Sequence, residues 1–225
     1  SEKPEEEVIV AAHLYEPGAN DNCSGVAGSI EALRAIRELV EAGKLSAPAR
    51  TIRVVFTFEI VGFLAYFARD RRRGKRYVAG VNPDMIGEDQ AKCRSTLFVY
   101  QNPHASSSFA DPLLVDMVGR FAGKSFRYEV KNFIVNDNMI SDPAIGVPCP
   151  ALIHLRDQFY HSNLDSPDKV SERTLHTVGG AMAAYLYVVA AMDKDLAREV
   201  GAVCVRWARA RLHKEGAAAA GLGAA

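Results

Sequence analysis

The chain of 225 residues carries no net charge, with 27 lysines and arginines set against 27 aspartates and glutamates. That balance lacks the electrostatic footprint of a nucleic-acid binder or of a protein held on an anionic membrane. The run Arg69–Asp70–Arg71–Arg72–Arg73–Gly74–Lys75–Arg76 is the local exception, and it reads as the solvated end of a helix and its loop. No C-x-x-C pair is present. Cys23, Cys93, Cys149 and Cys204 are scattered, which speaks against a cysteine zinc site or a disulfide framework. The pattern suits buried free thiols in a reducing, cytoplasmic compartment. No run reads as both apolar and long enough to span a bilayer. The acidic start, Ser1–Glu7, is not a signal peptide, and the first core strand follows it at once. The chain is therefore expected to be cut from a longer parent. A G-x-S-x-G elbow is lacking, which disfavours a serine hydrolase, and there is no internal repeat.

What is present is an alternation of strand-like and helix-like runs. Glu7–Leu14 is an apolar strand, and Val26, Ile30, Leu33, Ile36 and Val40 recur at helical spacing behind it. Thr51–Phe58, rich in β-branched and aromatic residues, reads as a central strand. A short helix over Gly62–Arg72 and a strand from Tyr77 to Asn82–Pro83–Asp84 follow. Leu97–Tyr100, Phe126–Val130 and Ala151–Leu155 are further strands, with a helix at Asp111–Gly123. Ser171 caps a long C-terminal helical region that Gly179–Gly180 is expected to interrupt. The pattern predicts an α/β fold, a three-layer αβα domain over residues 1–215 with a mostly parallel central sheet. The low-complexity tail 216–225 is expected to be disordered.

In such sheets ligands gather beyond the carboxyl ends of the strands. His13, Glu59, Asp84 and the loop after Leu155 fall there. Taken singly, each has an ordinary explanation: a helix N-terminal charge for Glu59, an Asx turn or cap for Asp84, an exposed loop histidine for His161. His154 reads as a satisfied core histidine. His104 reads as a loop residue, although the segment Gln101–Phe109 is expected to form part of a pocket wall. His13 and Asp21 together, at a strand end and a helix start, are able to hold a divalent metal.

Four segments in order make the pattern specific. His13 is followed by Gly18–Ala19–Asn20–Asp21–Asn22–Cys23–Ser24–Gly25; then come Asp84–Met85–Ile86–Gly87, Asp137–Asn138 before Gly146–Val147–Pro148, and Tyr160–His161 before Asp165. Together they resemble the catalytic domain of the zinc-dependent exopeptidases, which include bacterial leucyl aminopeptidases and, more distantly, glutaminyl cyclases. The resemblance implies a zinc exopeptidase-like fold and a peptide substrate. Asp21 would bridge two metals, His13 and Asp84 would complete one metal's ligands, and His161 would bind the other. Glu59 would be the general base. Zinc is the implied ion, with cobalt or manganese as alternatives, and the surface helices of such domains leave room for a homo-oligomer.

The chain departs from the family at two places. Where the family carries two adjacent glutamates, this sequence has Glu59–Ile60, and isoleucine coordinates nothing. Glu59 itself, Glu88, Asp89 or another carboxylate would have to supply the missing bond, or one metal is lost. The acidic residue that orients the first histidine is replaced by Tyr15. Three readings follow: a metallo-aminopeptidase with altered metal stoichiometry, a single-zinc acyl transferase resembling glutaminyl cyclase, or a catalytically impaired binding module. Ser24 is expected to cap the helix rather than act as a nucleophile.

Overall fold

One strand dictates the architecture. In the computed structural model, which describes residues 2–70, 72–219 and 221, β1 (Glu7–His13) is buried along its whole length. Val8 and Val10 belong to one apolar cluster, Ile9 and Ala11 to another, so both faces of the sheet need a cover of helices. Parallel neighbours β2 (Thr51–Thr57) and β3 (Tyr77–Asp84) flank it. Beyond β3 comes β6 (Ala151–Leu155), also parallel; β4 (Thr96–Tyr100) then joins β6 antiparallel, and β5 (Tyr128–Lys131) runs with β4. The order is β2-β1-β3-β6-β4-β5, a mostly parallel sheet with one reversal. On one face lie α1 (Cys23–Glu41), α3 (Ala110–Phe121) and α4 (Glu172–Ala191), with α5 (Lys194–Ala219) against α3. The other face is covered by α2 (Val61–Ala68) and the 3-10 turn Asp137–Ser141, whose Phe63, Phe67 and Ile140 pack on Ile9 and Ala11. The expected three layers are thus in place.

Several local expectations give way to packing. β2 is an edge strand, not a central one, and its Thr51 and Arg53 are exposed. β-branched residues suit any half-buried pleat, so they do not report how many neighbours a strand has. The buried seam of α1 is made of small residues, Gly25, Gly28, Ser29 and Ala32 with Ile36, while Ile30 is exposed. A Cβ on Gly28 would stand 2.5 Å from Ile86 Cδ1, so the helix lies too close for larger residues. Asn22, not Ser24, caps α1: its Oδ1 accepts from Gly25 N at 3.1 Å, while Ser24 Oγ donates to Asn20 O at 2.8 Å.

Gly179–Gly180 does not interrupt α4. Gly180 instead makes room for Phe121, whose Cε1 would lie 2.5 Å from an added Cβ. By length and composition α4 is apolar enough to cross a membrane, contrary to expectation, but Val178, Met182, Tyr185 and Leu186 are spent on the core. α5 continues through Ala219, past the expected boundary at Gly216, since alanine is the strongest helix former. Ala220 and residues 222–225 of the expected disordered tail lie outside the described residues, as does Arg71 of the basic run. All four cysteines are free, but only Cys93 and Cys149 are buried and Cys23 is exposed.

Candidate metal centre

The four adjacent strands β2, β1, β3 and β6 all point their carboxyl ends to one edge. His13 ends β1, Glu59 lies just past β2, Asp84 ends β3 and His161 lies beyond β6. β4 runs the other way, so the segment 101–109 leaves the sheet where β6 begins and does not wall this edge. Asn102 there binds Asp111 and Cys149 N, and Gln101 and Phe109 face Trp207 and Arg211 of α5. His104, expected in a loop, opens the short 3-10 turn His104–Ser106 and is exposed, away from the site. His154 is fully buried, with Nδ1 at 2.7 Å from Met85 O and Nε2 at 3.2 Å from Gln90 Nε2, a satisfied core histidine as expected.

The loop from His13 to α1 is built to bring carboxylates back onto the imidazole. The chain turns not at Pro17–Gly18 but at Ala19–Asn20–Asp21, and a Cβ on Gly18 would stand 2.4 Å from Asp21 O and 2.3 Å from Asp165 Oδ2. Asp165 receives the Asn20 N–H at 3.0 Å and the Asp21 N–H at 2.9 Å, and so fastens this loop to the one carrying His161. The Asp21–Asn22 peptide is cis. Asn22 Oδ1 also accepts from Met85 N at 3.2 Å, which ties the loop to the end of β3.

In this frame Asp21 sits between two imidazoles. Its Oδ1 lies 3.1 Å from His13 Nε2 and its Oδ2 3.2 Å from His161 Nε2. Glu16 joins the same pair, 2.8 Å from His13 Nε2 and 3.5 Å from His161 Nε2. Glu16, Asp21 and His161 border an open cleft of about 350 Å³ that Asp165 and Asn163 also line. Asp84 is buried beside them; Asn136 Nδ2 donates to its Oδ2 at 2.9 Å, and its Oδ1 has no hydrogen-bond partner. Asn136 Nδ2 also reaches Glu59 Oε1 at 3.5 Å, and the Tyr15 hydroxyl donates to Glu59 Oε2 at 3.2 Å.

Tyr15 therefore turns to Glu59 and not to His13 Nδ1. The partner of that nitrogen is Asp137 Oδ2, at 3.0 Å. The second oxygen of Asp137 accepts from Ile60 N at 2.8 Å. Ile60 occupies the centre of a γ-turn, with φ 51° and ψ −65° and the Val61 N–H donating to Glu59 O. A β-branched residue with positive φ is a strained choice, on the order of 1–3 kcal/mol, and such strain is characteristic of functional sites. His161 and Met85 also have positive φ, at 52° and 48°.

The electrostatics match the donor set. Burial opposes a charge on His13, yet the hydrogen bonds to Asp137 and Asp21 and the field of Asp84 outweigh it and push the imidazole up to about 11. Burial first, then Asp21, holds Asp84 well above the usual carboxylate range. Burial and the neighbouring Asp21 likewise raise Glu16. So many carboxylates around one imidazole call for a cation, and hard oxygens with imidazole nitrogens suit a divalent metal such as zinc. The Oδ1 of Asp84, buried and without a hydrogen-bond partner, has the chemistry of a ligand atom for such an ion.

All five predicted residues thus reach one edge of the sheet, with His13, Asp21 and His161 in direct contact. Neither Glu88 nor Asp89 reaches the site. Glu88 is grouped with Cys93 and Asp157, and Asp89 caps a turn through the N–H groups of Ala91 and Lys92. Glu16, Asn136 and the roles of Asp137 and Asp165 went unread. The one signal for Glu16 was its position three residues after His13, one removed from the place where Tyr15 breaks the pattern.

Solved structures share the fold. A zinc aminopeptidase from Bacillus subtilis matches at 22% identity and TM-score 0.67, over 84% of this chain and 47% of that one. An aminopeptidase from Aneurinibacillus sp. matches at 24% identity and TM-score 0.67, over 84% and 44%. The glutaminyl cyclase of Porphyromonas gingivalis matches at 19% identity and TM-score 0.59, over 81% and 73%. The chain spans less than half the length of those two aminopeptidases. No curated protein sequence matches it. The pattern of Peptidase family M28 matches residues 1–186, which takes in all six strands and each residue gathered at the centre, and the chain belongs to that family.

Proposed function

We propose that this chain is the catalytic domain of a zinc-dependent aminopeptidase that removes N-terminal residues from peptides. The observation that carries the reading is Asp21, a single carboxylate with one oxygen against each of two imidazoles, His13 and His161. His13, Asp21, Asp84 and His161 would hold the metal. Bound zinc lowers the pKa of a water molecule towards neutrality and polarises the peptide carbonyl. Asp137 engages His13 Nδ1 and so leaves Nε2 facing the metal side. Glu59, aimed by the Tyr15 hydroxyl and the Asn136 amide, accepts the proton of the attacking water and returns it to the departing amine.

The rim of the site supports an apolar substrate side chain. Leu14, Phe58, Val61, Val135 and Tyr160, each adjacent in sequence to a site residue or its turn, are exposed. Tyr15 and Phe58 stand with ring centroids 5.5 Å apart, and Tyr160 stacks on His161 at 3.7 Å. Leucyl and phenylalanyl p-nitroanilides are expected to be hydrolysed at least tenfold faster than aspartyl or lysyl ones, and N-acetylated substrates not at all. Protein purified without chelator should contain zinc, and Asp21→Ala should abolish both zinc and turnover. Zinc-free protein that takes up no added zinc would overturn the reading.

A further inference from the structure

We infer that Glu16 is a metal ligand that replaces the one lost at Ile60. The inference rests on the metal-site reading above. Both imidazoles turn Nε2 toward the same space, and His13 Nδ1 is already taken by Asp137 at 3.0 Å. A carboxylate that only oriented His13 would sit at Nδ1. Glu16 lies instead at Nε2, the face on which a metal binds, with Oε2 at 2.8 Å.

Its second oxygen, Oε1, is 3.5 Å from His161 Nε2. Asp21 spans the same two nitrogens at 3.1 and 3.2 Å, so the two carboxylates run side by side between one pair of histidines. Ligands bound at about 2.1 Å to a tetrahedral ion stand about 3.4 Å apart, close to the separations found here. His13, Glu16 and Asp21 place one ligand atom each within 4.8 Å of one another. Glu16 has no lysine or arginine ion-pair partner among the described residues; the two imidazoles are its only ones.

The backbone explains how position 16 reaches the site. The turn at Ala19–Asn20–Asp21, bracketed by the Gly18–Asn22 bridge, folds the chain back beside Gly18, and the close approach of Asp21 O and Asp165 to Gly18 admits no side chain there. Ala19 N donates to Asp165 O at 3.1 Å, which pins the returning segment. Position 60, by contrast, offers a hydrocarbon side chain on a γ-turn whose polar contact is its N–H. The chain has thus moved a ligand from the loop after β2 to the loop after β1, and the site keeps its full complement of carboxylates.

The test is zinc content and zinc affinity of the full chain, by elemental analysis and chelator competition. Wild type, Glu16→Gln, Glu16→Ala, Glu16→Ala with Ile60→Glu, and Asp21→Ala are compared, with the melting temperature in chelator as a check on folding. Glu16→Gln and Glu16→Ala are expected to lose one equivalent of zinc or to bind it about 100-fold more weakly, while the metal-free proteins melt no lower than wild type. The double variant is expected to regain the lost zinc. Wild-type zinc content and affinity in Glu16→Ala, with zinc lost in Asp21→Ala, would overturn this inference and leave the peptidase reading intact. No regain in the double variant would also overturn it, because Glu16 would then not stand in for position 60. Wild type that binds no zinc would remove the underlying site reading itself.

Discussion

Glu88 offers a sharp test of the electrostatics beneath the site. It follows the Asp84–Met85–Ile86–Gly87 strand end, is fully buried, and has no hydrogen-bond partner on either carboxyl oxygen. Burial, opposed by the nearby Ser95 hydroxyl and aided by the fields of Asp157, Asp165 and Asp84, pushes its carboxyl from 4.5 up to about 8. The folded protein therefore holds a proton that the unfolded chain releases near pH 4.5. Stability from this group is fully present below that pH, declines as pH rises to about 8, and is flat beyond. A gap of that width is worth about 5 kcal/mol at ~1.4 kcal/mol per pH unit. Glu88→Gln keeps the shape and removes the titration. Urea unfolding in chelator between pH 5 and pH 9 should show the variant close to wild type at the acid end and several kcal/mol more stable at the alkaline end. Stability curves that stay parallel across that range, within about 1 kcal/mol, would refute the argument.

Other outcomes follow from the same contacts. Burial lowers His154 to about 4, so wild type should lose about 3 kcal/mol as pH falls from 6.5 through 4, and His154→Gln should flatten that limb in acid urea titrations. Asp137→Asn should weaken zinc binding about 10- to 100-fold by freeing the His13 ring, read by chelator competition. Gly180→Ala should destabilise by about 1–3 kcal/mol through collision with Phe121. Gly179→Ala, one residue earlier and facing open space, should stabilise α4 by up to about 1 kcal/mol; thermal melts of the pair decide both.

How much of this was legible depends on how local the cause is. The uniform burial of β1 was readable because Val8–Ala12 is a continuous apolar run, and Asp21 because it stands inside a specific eight-residue motif. Asp137 was not assigned to His13, since 124 positions separate them and nothing between announces the contact. The edge position of β2 and the reversal at β4 depend on pairings that a strand's own residues do not encode. Gly179–Gly180 looked like a break because its purpose, a close approach to Phe121, lies on another helix. Glu16 was overlooked because its chemistry depends on a turn that folds it back onto Asp21.

The grip of Asp137 on the Ile60 amide has a consequence for how such a site changes over evolutionary time. The turn behind Glu59 is held by a main-chain N–H, which every residue except proline presents equally. That hydrogen bond is therefore open to any such residue, even one like Ile60 that the positive φ strains. A ligand at position 60 can drift away in one mutational step while Glu59 and His13 stay aimed as before. The site is modular at that position, and its metal chemistry can be rewritten from a neighbouring loop without redesign of the scaffold.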